Sequence, residues 1–134
     1  MPKATHSYLG AAGIGVSDLE KSFDFYTRVC GLKKMYQLKL PHMDEYILSS
    51  EENRGSAVVL MHYKDGSNPN YKNNPVKLVF YVPDPKEFAD RIRQEGLPIE
   101  REPEAVPELG NAVVGFARDP DGYLLEILQA PGQA

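Results

Sequence analysis

Val16-Ser-Asp-Leu-Glu-Lys-Ser-Phe-Asp-Phe-Tyr-Thr-Arg-Val-Cys-Gly-Leu32 is the stretch whose reading decides the fold. Ser17-Asp18-Leu19-Glu20 fits a capping box, in which a hydroxyl and a carboxylate satisfy backbone N–H groups left free in a first helical turn. Leu19, Phe23, Tyr26 and Cys30 then recur at helical spacing, Phe25 and Val29 widen the apolar stripe, and Gly31 can take the left-handed conformation that ends a helix. The spacing predicts a helix over 18–30. On its N-terminal side, alternation through 8–16 predicts a strand. On its C-terminal side, three short strands are expected over 33–38, 43–49 and 57–62, separated by Pro41 and by the polar turn Glu51-Glu52-Asn53-Arg54-Gly55. The unit reads βαβββ.

Residues 64–75, rich in Asn, Gly, Ser and Pro, break the periodicity as a linker or long loop does. Beyond them the same order returns. Residues 76–82 read as a strand, Asp84-Pro85-Lys86-Glu87 supplies a cap with Pro at the first helical position, Phe88 and Ile92 face inward, and Gly96 ends the helix. Strands over 99–101, 112–117 and 123–129 follow, the last two joined by Arg118-Asp119-Pro120-Asp121-Gly122, a tight-turn sequence. Val16-Ser17-Asp18 and Val82-Pro83-Asp84 open helices that run to Gly31-Leu32 and Gly96-Leu97, with spacings that differ by one residue. An internal duplication accounts for this economically. In each copy the helix is expected to cover one face of the sheet and to leave the other face for a ligand or a second subunit.

A chain of 134 residues with 42% hydrophobic content suits one domain, with modules over about 7–63 and 76–130. Net charge of −4 and scattered Lys and Arg give no field that would draw nucleic acid or anionic lipid. No apolar run approaches the roughly 20 residues that cross a bilayer, and the N-terminus has no apolar signal core, so a cytoplasmic location is expected. With one cysteine, Cys30, neither an internal disulfide nor a thiolate zinc cluster is available, and Cys30 reads as a small buried hydrophobe.

The 16–32 stretch and Asp119-Pro-Asp-Gly-Tyr-Leu-Leu-Glu126 resemble the two signature segments of the vicinal oxygen chelate superfamily, which holds glyoxalase I, bleomycin resistance proteins and extradiol dioxygenases. The likeness covers nearly the whole chain, and small bacterial glyoxalase I proteins share its length and the spacing of Arg93-Gln-Glu-Gly96 and Asp119–Gly122. The resemblance implies an α+β fold of two βαβββ modules forming a cup-shaped mixed sheet with helices outside, assembled as a homodimer. It also implies a divalent metal held by a His or Glu from the first strand and a Glu from the last strand of each module. Such an ion polarises two neighbouring substrate oxygens and stabilises the enediolate formed when a carboxylate removes a proton.

Carried over one at a time, those four positions fall on Ala11, Leu60, Lys77 and Glu126. One carboxylate cannot make the three- or four-ligand site that zinc, nickel or iron needs, so the metal is expected to be absent. His62, two residues past Leu60 and on its face, is the side chain that could join Glu126 in a displaced site, although a lone strand histidine is more often hydrogen-bonded or exposed. Lys77 could pair with Glu126 and take the charge role of the metal, or else extend to the rim beside a solvated Glu126. Ala11 and Gly13, with Gly15, leave volume on one strand face. Tyr81, on Lys77's face, and some of Tyr36, Tyr46, Tyr63, Tyr71 and Tyr123 could wall a pocket there. Two functions are consistent with this pattern. One is a protein that binds a small organic, aromatic molecule without metal, with Glu126 and Lys77 central and Ala11, Gly13, Leu60, His62 and Tyr81 lining the cup. The other is a glyoxalase I-like lyase or isomerase with an atypical or absent metal site. A purely structural or protein-binding module stands behind both.

Overall fold

The structure, a computed structural model, describes residues 5–52 and 56–130. The part of the 51–55 turn formed by Asn53, Arg54 and Gly55 lies outside the described residues. In chain order the elements are β1 (Ala11–Gly15), α1 (Leu19–Asp24) continued by a π-helical turn (Phe25–Val29), β2 (Lys33–Lys39), β3 (Met43–Ser49), β4 (Ala57–Tyr63), β5 (Lys77–Val82), α2 (Pro85–Gln94), β6 (Ile99–Val106), a short 3-10 turn (Pro107–Leu109), β7 (Ala112–Arg118) and β8 (Leu124–Gln129). Two compact units, Met1–Pro69 and Asn70–Ala134, meet within the stretch read as a linker. In the first the strand order is β1-β4-β3-β2 and in the second β5-β8-β7-β6, which is the same topology twice. β1 runs parallel to β4 and β5 parallel to β8, while the other pairs are antiparallel, so each sheet is mixed. The fold is α+β, two βαβββ modules, as expected from the repeated helix signals.

In the first unit the helix is capped by Asp18, whose Oδ1 accepts from the Lys21 N–H at 3.1 Å. This corrects the capping box read at Ser17. The Glu20 carboxylate does not turn back to the backbone as that box requires, but accepts from the Tyr46 hydroxyl at 2.7 Å. The 18–30 helix is also not uniform, since its second half widens into the π turn before Gly31, at φ 86°, ends it. Phe23 stacks on Tyr46 of β3 with ring centroids 4.2 Å apart. Ile14, Val16, Phe25, Tyr26, Val29, Leu48, Val58 and Leu60 are buried with Tyr46, and Cys30 is buried among the core residues as expected.

The second unit repeats the scheme. Asp84 Oδ1 accepts from the Glu87 N–H at 3.2 Å, Pro85 opens α2, and Gly96 follows its end at φ 79°. Phe88, Ala89 and Ile92 are buried with Leu125, Ile127 and Ala117, and Phe88 meets Phe80 of β5. The β7–β8 turn is held by Asp119, whose buried Oδ1 accepts from the N–H groups of Asp121 at 2.9 Å and Tyr123 at 2.8 Å. The strand expected over 99–101 runs on to Val106, because Pro103 sits on an edge strand where register shifts on either side of Arg101 absorb its missing N–H. Among the described residues no helix is long and apolar enough to cross a membrane.

Candidate functional site

Paired residues in a ladder project to the same face, so the registers sort every strand residue into a helix-covered face or an open one. In the second unit, Leu78, Phe80 and Val82 pair with Leu125, Ile127 and Gln129, and Phe80, Leu125 and Ile127 face α2. The opposite face carries Lys77, Val79 and Tyr81 on β5, Leu124, Glu126 and Leu128 on β8, and Phe116 directly across from Glu126 on β7. Lys77 Nζ donates to Glu126 Oε1 at 2.9 Å. The partners are unequally covered, the lysine side chain being 50% exposed and the glutamate 14%. Val79 and Tyr81 are also exposed, at 42% and 64%. The open face is therefore an apolar strip ending at an ion pair whose accessible member is the ammonium.

In the first unit Ala11, Gly13 and Gly15 pair with Ala57, Val59 and Met61. A Cβ on Gly13 would come within 3.1 Å of Met61 Cε and 3.8 Å of Val59 Cβ, which fixes those residues on the same open face. Ile47 and Tyr36 share it through the β3–β4 and β2–β3 registers. Leu60 does not. It pairs with Ile14, is fully buried and lies on the helix-covered face, so it lines no open surface. His62 is on that face as well, with Nδ1 2.9 Å from the carbonyl oxygen of Val16. A carbonyl oxygen only accepts, so Nδ1 carries the proton in this contact. The expectation that Leu60 and His62 line the ligand face is thus corrected. The two share a face, as strand alternation requires, but the parallel β1–β4 register places both opposite to Ala11 and Gly13. Val59 and Met61 stand on Ala11's face instead, and counting from the β1–β4 pairing rather than from the motif spacing is the signal that finds them.

Of the tyrosines, Tyr36 and Tyr81 are exposed on the open faces, while Tyr46 and Tyr123 are buried. The hydrogen bond to Glu20 and, secondarily, burial push the Tyr46 phenol above its ordinary value. Burial does the same to Tyr123, opposed by the Asn74 amide that donates to its hydroxyl.

Ala11 carries no donor, Leu60 is an alkyl group under a helix, Lys77 is a cation, and Glu126, the one carboxylate at these positions, accepts a hydrogen bond from Lys77 on Oε1. Among the described residues no three His, Cys, Asp or Glu side chains are grouped to hold a metal. The donors at these positions do not fit a divalent ion, which needs three or more convergent N, O or S ligands.

Residues 8–127 match the family model described as Glyoxalase/Bleomycin resistance protein/Dioxygenase superfamily. The chain is 32% identical over 118 residues to a probable lactoylglutathione lyase of Vibrio cholerae, covering 85% of this chain and 84% of that protein. It is 32% identical over 123 residues to the lactoylglutathione lyase of Salmonella typhimurium, covering 86% and 87%. Among solved structures, glyoxalase I from Zea mays superposes with a TM-score of 0.77 at 27% identity, covering 93% of this chain and 45% of the maize chain, so the protein spans about half of that longer molecule. TnmS3, an antibiotic binding protein from Streptomyces sp. CB03234, shares the fold with a TM-score of 0.72 at 19% identity, covering 96% of this chain and all of that one. The duplicated βαβββ topology and the match over nearly the whole sequence lead to one conclusion: this chain belongs to the Glyoxalase/Bleomycin resistance protein/Dioxygenase superfamily.

Proposed function

We propose that this protein binds a small organic, aromatic molecule on the open sheet face of its second unit, with Glu126 and Lys77 at the centre of the site and without a divalent metal. The observation that carries the reading is the 2.9 Å contact from Lys77 Nζ to Glu126 Oε1, made by two of the four residues that stand where metal ligands are expected. Tyr81 offers a flat wall on the second unit's open face, whereas on the first unit's own open face the Met61 side chain lies against Gly13, so the volume expected at Ala11 and Gly13 is taken up there. With the lysine side chain half exposed, such a pair adds little to stability, which favours a role in recognition. The same fold serves TnmS3, although a likeness at 19% identity speaks to fold alone. A homodimer is also suited by exposed apolar groups on each unit, Tyr36 and Leu38 on the first and Val79 and Tyr81 on the second. The net charge of −4 argues against nucleic-acid and membrane partners.

A second reading is a lyase or isomerase of the lactoylglutathione lyase type, favoured by the names of the Vibrio and Salmonella relatives and by the retained Glu126. In it the Glu126 carboxylate takes the substrate proton and the Lys77 ammonium stabilises the oxygen on which negative charge develops. Elemental analysis followed by a hemithioacetal isomerisation assay, with and without added zinc, nickel or cobalt, separates the two. Turnover establishes the second reading, and its absence with every metal removes it. A thermal-shift screen of aromatic compounds then tests binding, because a ligand at about a hundred times its dissociation constant stabilises by roughly 2.7 kcal/mol.

A further inference from the structure

We infer that the ligand of the second unit's open face is an aromatic carboxylate, its ring on Tyr81 and Val79 and its anionic head on the Lys77 ammonium. The inference rests on the binding function proposed above and adds the chemical class. Of the two charges in the pair, the ammonium is the reachable one, at 50% exposure against 14% for Glu126. An ammonium has three N–H donors and no acceptor, and the bond to Glu126 Oε1 engages one of them. A group docking on it must therefore accept, and an anionic acceptor gains a charge-assisted bond. Glu126 holds the lysine head against the sheet on the diagonal between the Lys77–Leu124 and Val79–Glu126 pairs, so the cation is positioned rather than free to sweep.

The length follows from the strand. Val79 and Tyr81 follow Lys77 on the same face, and at about 3.3 Å per residue Tyr81 stands roughly 7–13 Å along β5 from the ammonium. One or two fused rings bearing a carboxylate fill that span. The Val79 and Tyr81 side chains, 42% and 64% exposed, supply apolar and aromatic surface for a flat ring. A cationic aromatic ligand would instead have to reach the mostly covered Glu126 past Lys77.

The test is isothermal titration of the full chain with three probes of one shape, 2-naphthoate, 2-naphthalenemethanol and 2-naphthylmethylamine. The naphthoate is expected to bind at least about tenfold more tightly than the alcohol, and Lys77→Met to erase that difference while Lys77→Arg keeps it. The wild-type ratio decides the matter even if Lys77→Met fails to fold. Equal affinity for acid and alcohol, or tighter binding of the amine, overturns the carboxylate assignment and leaves the binding function standing. If none of the three binds, both fall.

Discussion

Gly115 and Gly13 lie in strands of the two units, yet substituting them should have very different effects. A Cβ on Gly115 would come within 2.8 Å of Pro103 Cγ and 3.0 Å of both Arg101 O and Pro103 N, a proline ring and backbone that cannot move aside. Gly115→Ala should cost about 1–3 kcal/mol in chemical denaturation. Gly13→Ala would press on Met61 Cε and Sδ at 3.1 and 3.2 Å, the far end of a flexible side chain, and should cost well under half as much. Tyr46 yields a pH prediction. Its phenol is raised above the ordinary value near 10, first by the hydrogen bond to Glu20, so the folded state holds this proton more tightly than the unfolded state. That stabilisation is complete below pH 10 and is lost as pH rises through the higher folded value. Tyr46→Phe should lower stability by about 1 kcal/mol at neutral pH and flatten the alkaline fall in denaturation midpoint, leaving the part due to Tyr123. At this scale the sequence was legible in residue type and only partly in direction. The closeness of Lys77 and Glu126 followed from their strand positions. Leu60 and His62 were placed on the wrong face because alternation of period two fixes which residues share a face, while only the partner strand's register says which face that is.

Each helix depends on one aspartate. Asp84→Ala removes the acceptor for the Glu87 N–H and should destabilise the second unit by about 0.5–2 kcal/mol, read as a lower melting temperature with an unchanged circular dichroism signature. Existence and order of the elements were readable from the sequence because caps, apolar stripes and terminal glycines agreed with one another in both copies. The details that were not readable have local causes. Ser17 and Asp18 are both good caps, and sequence alone does not choose between neighbours; the choice of Asp18 sends Glu20 to Tyr46. The π turn over Phe25–Val29 has the same apolar residues as an ordinary helix would. Pro103 argued against a strand beyond 101, but an edge strand with irregular register tolerates it. Tyr8 and Leu9 extend the alternating pattern of β1 and yet are 77% and 81% exposed, outside the ladder.

For the whole molecule, the duplicated topology and its family were evident from two motifs about a hundred residues apart, since the helix signals, the Asp119–Gly122 turn and the strands all agree. Function was less legible, because three of the four positions that the resemblance assigns to metal ligands carry Ala11, Leu60 and Lys77 and only Glu126 keeps a ligand type. In the proposed function Lys77 and Glu126 form a recognition pair in place of a metal centre. Its most direct measurement is calorimetric titration of the metal-free chain and of Glu126→Gln with nickel and zinc. The same heats are expected for both proteins, with no equivalent of metal held through Glu126. One equivalent bound per wild-type chain at micromolar affinity or better and lost in Glu126→Gln would contradict it.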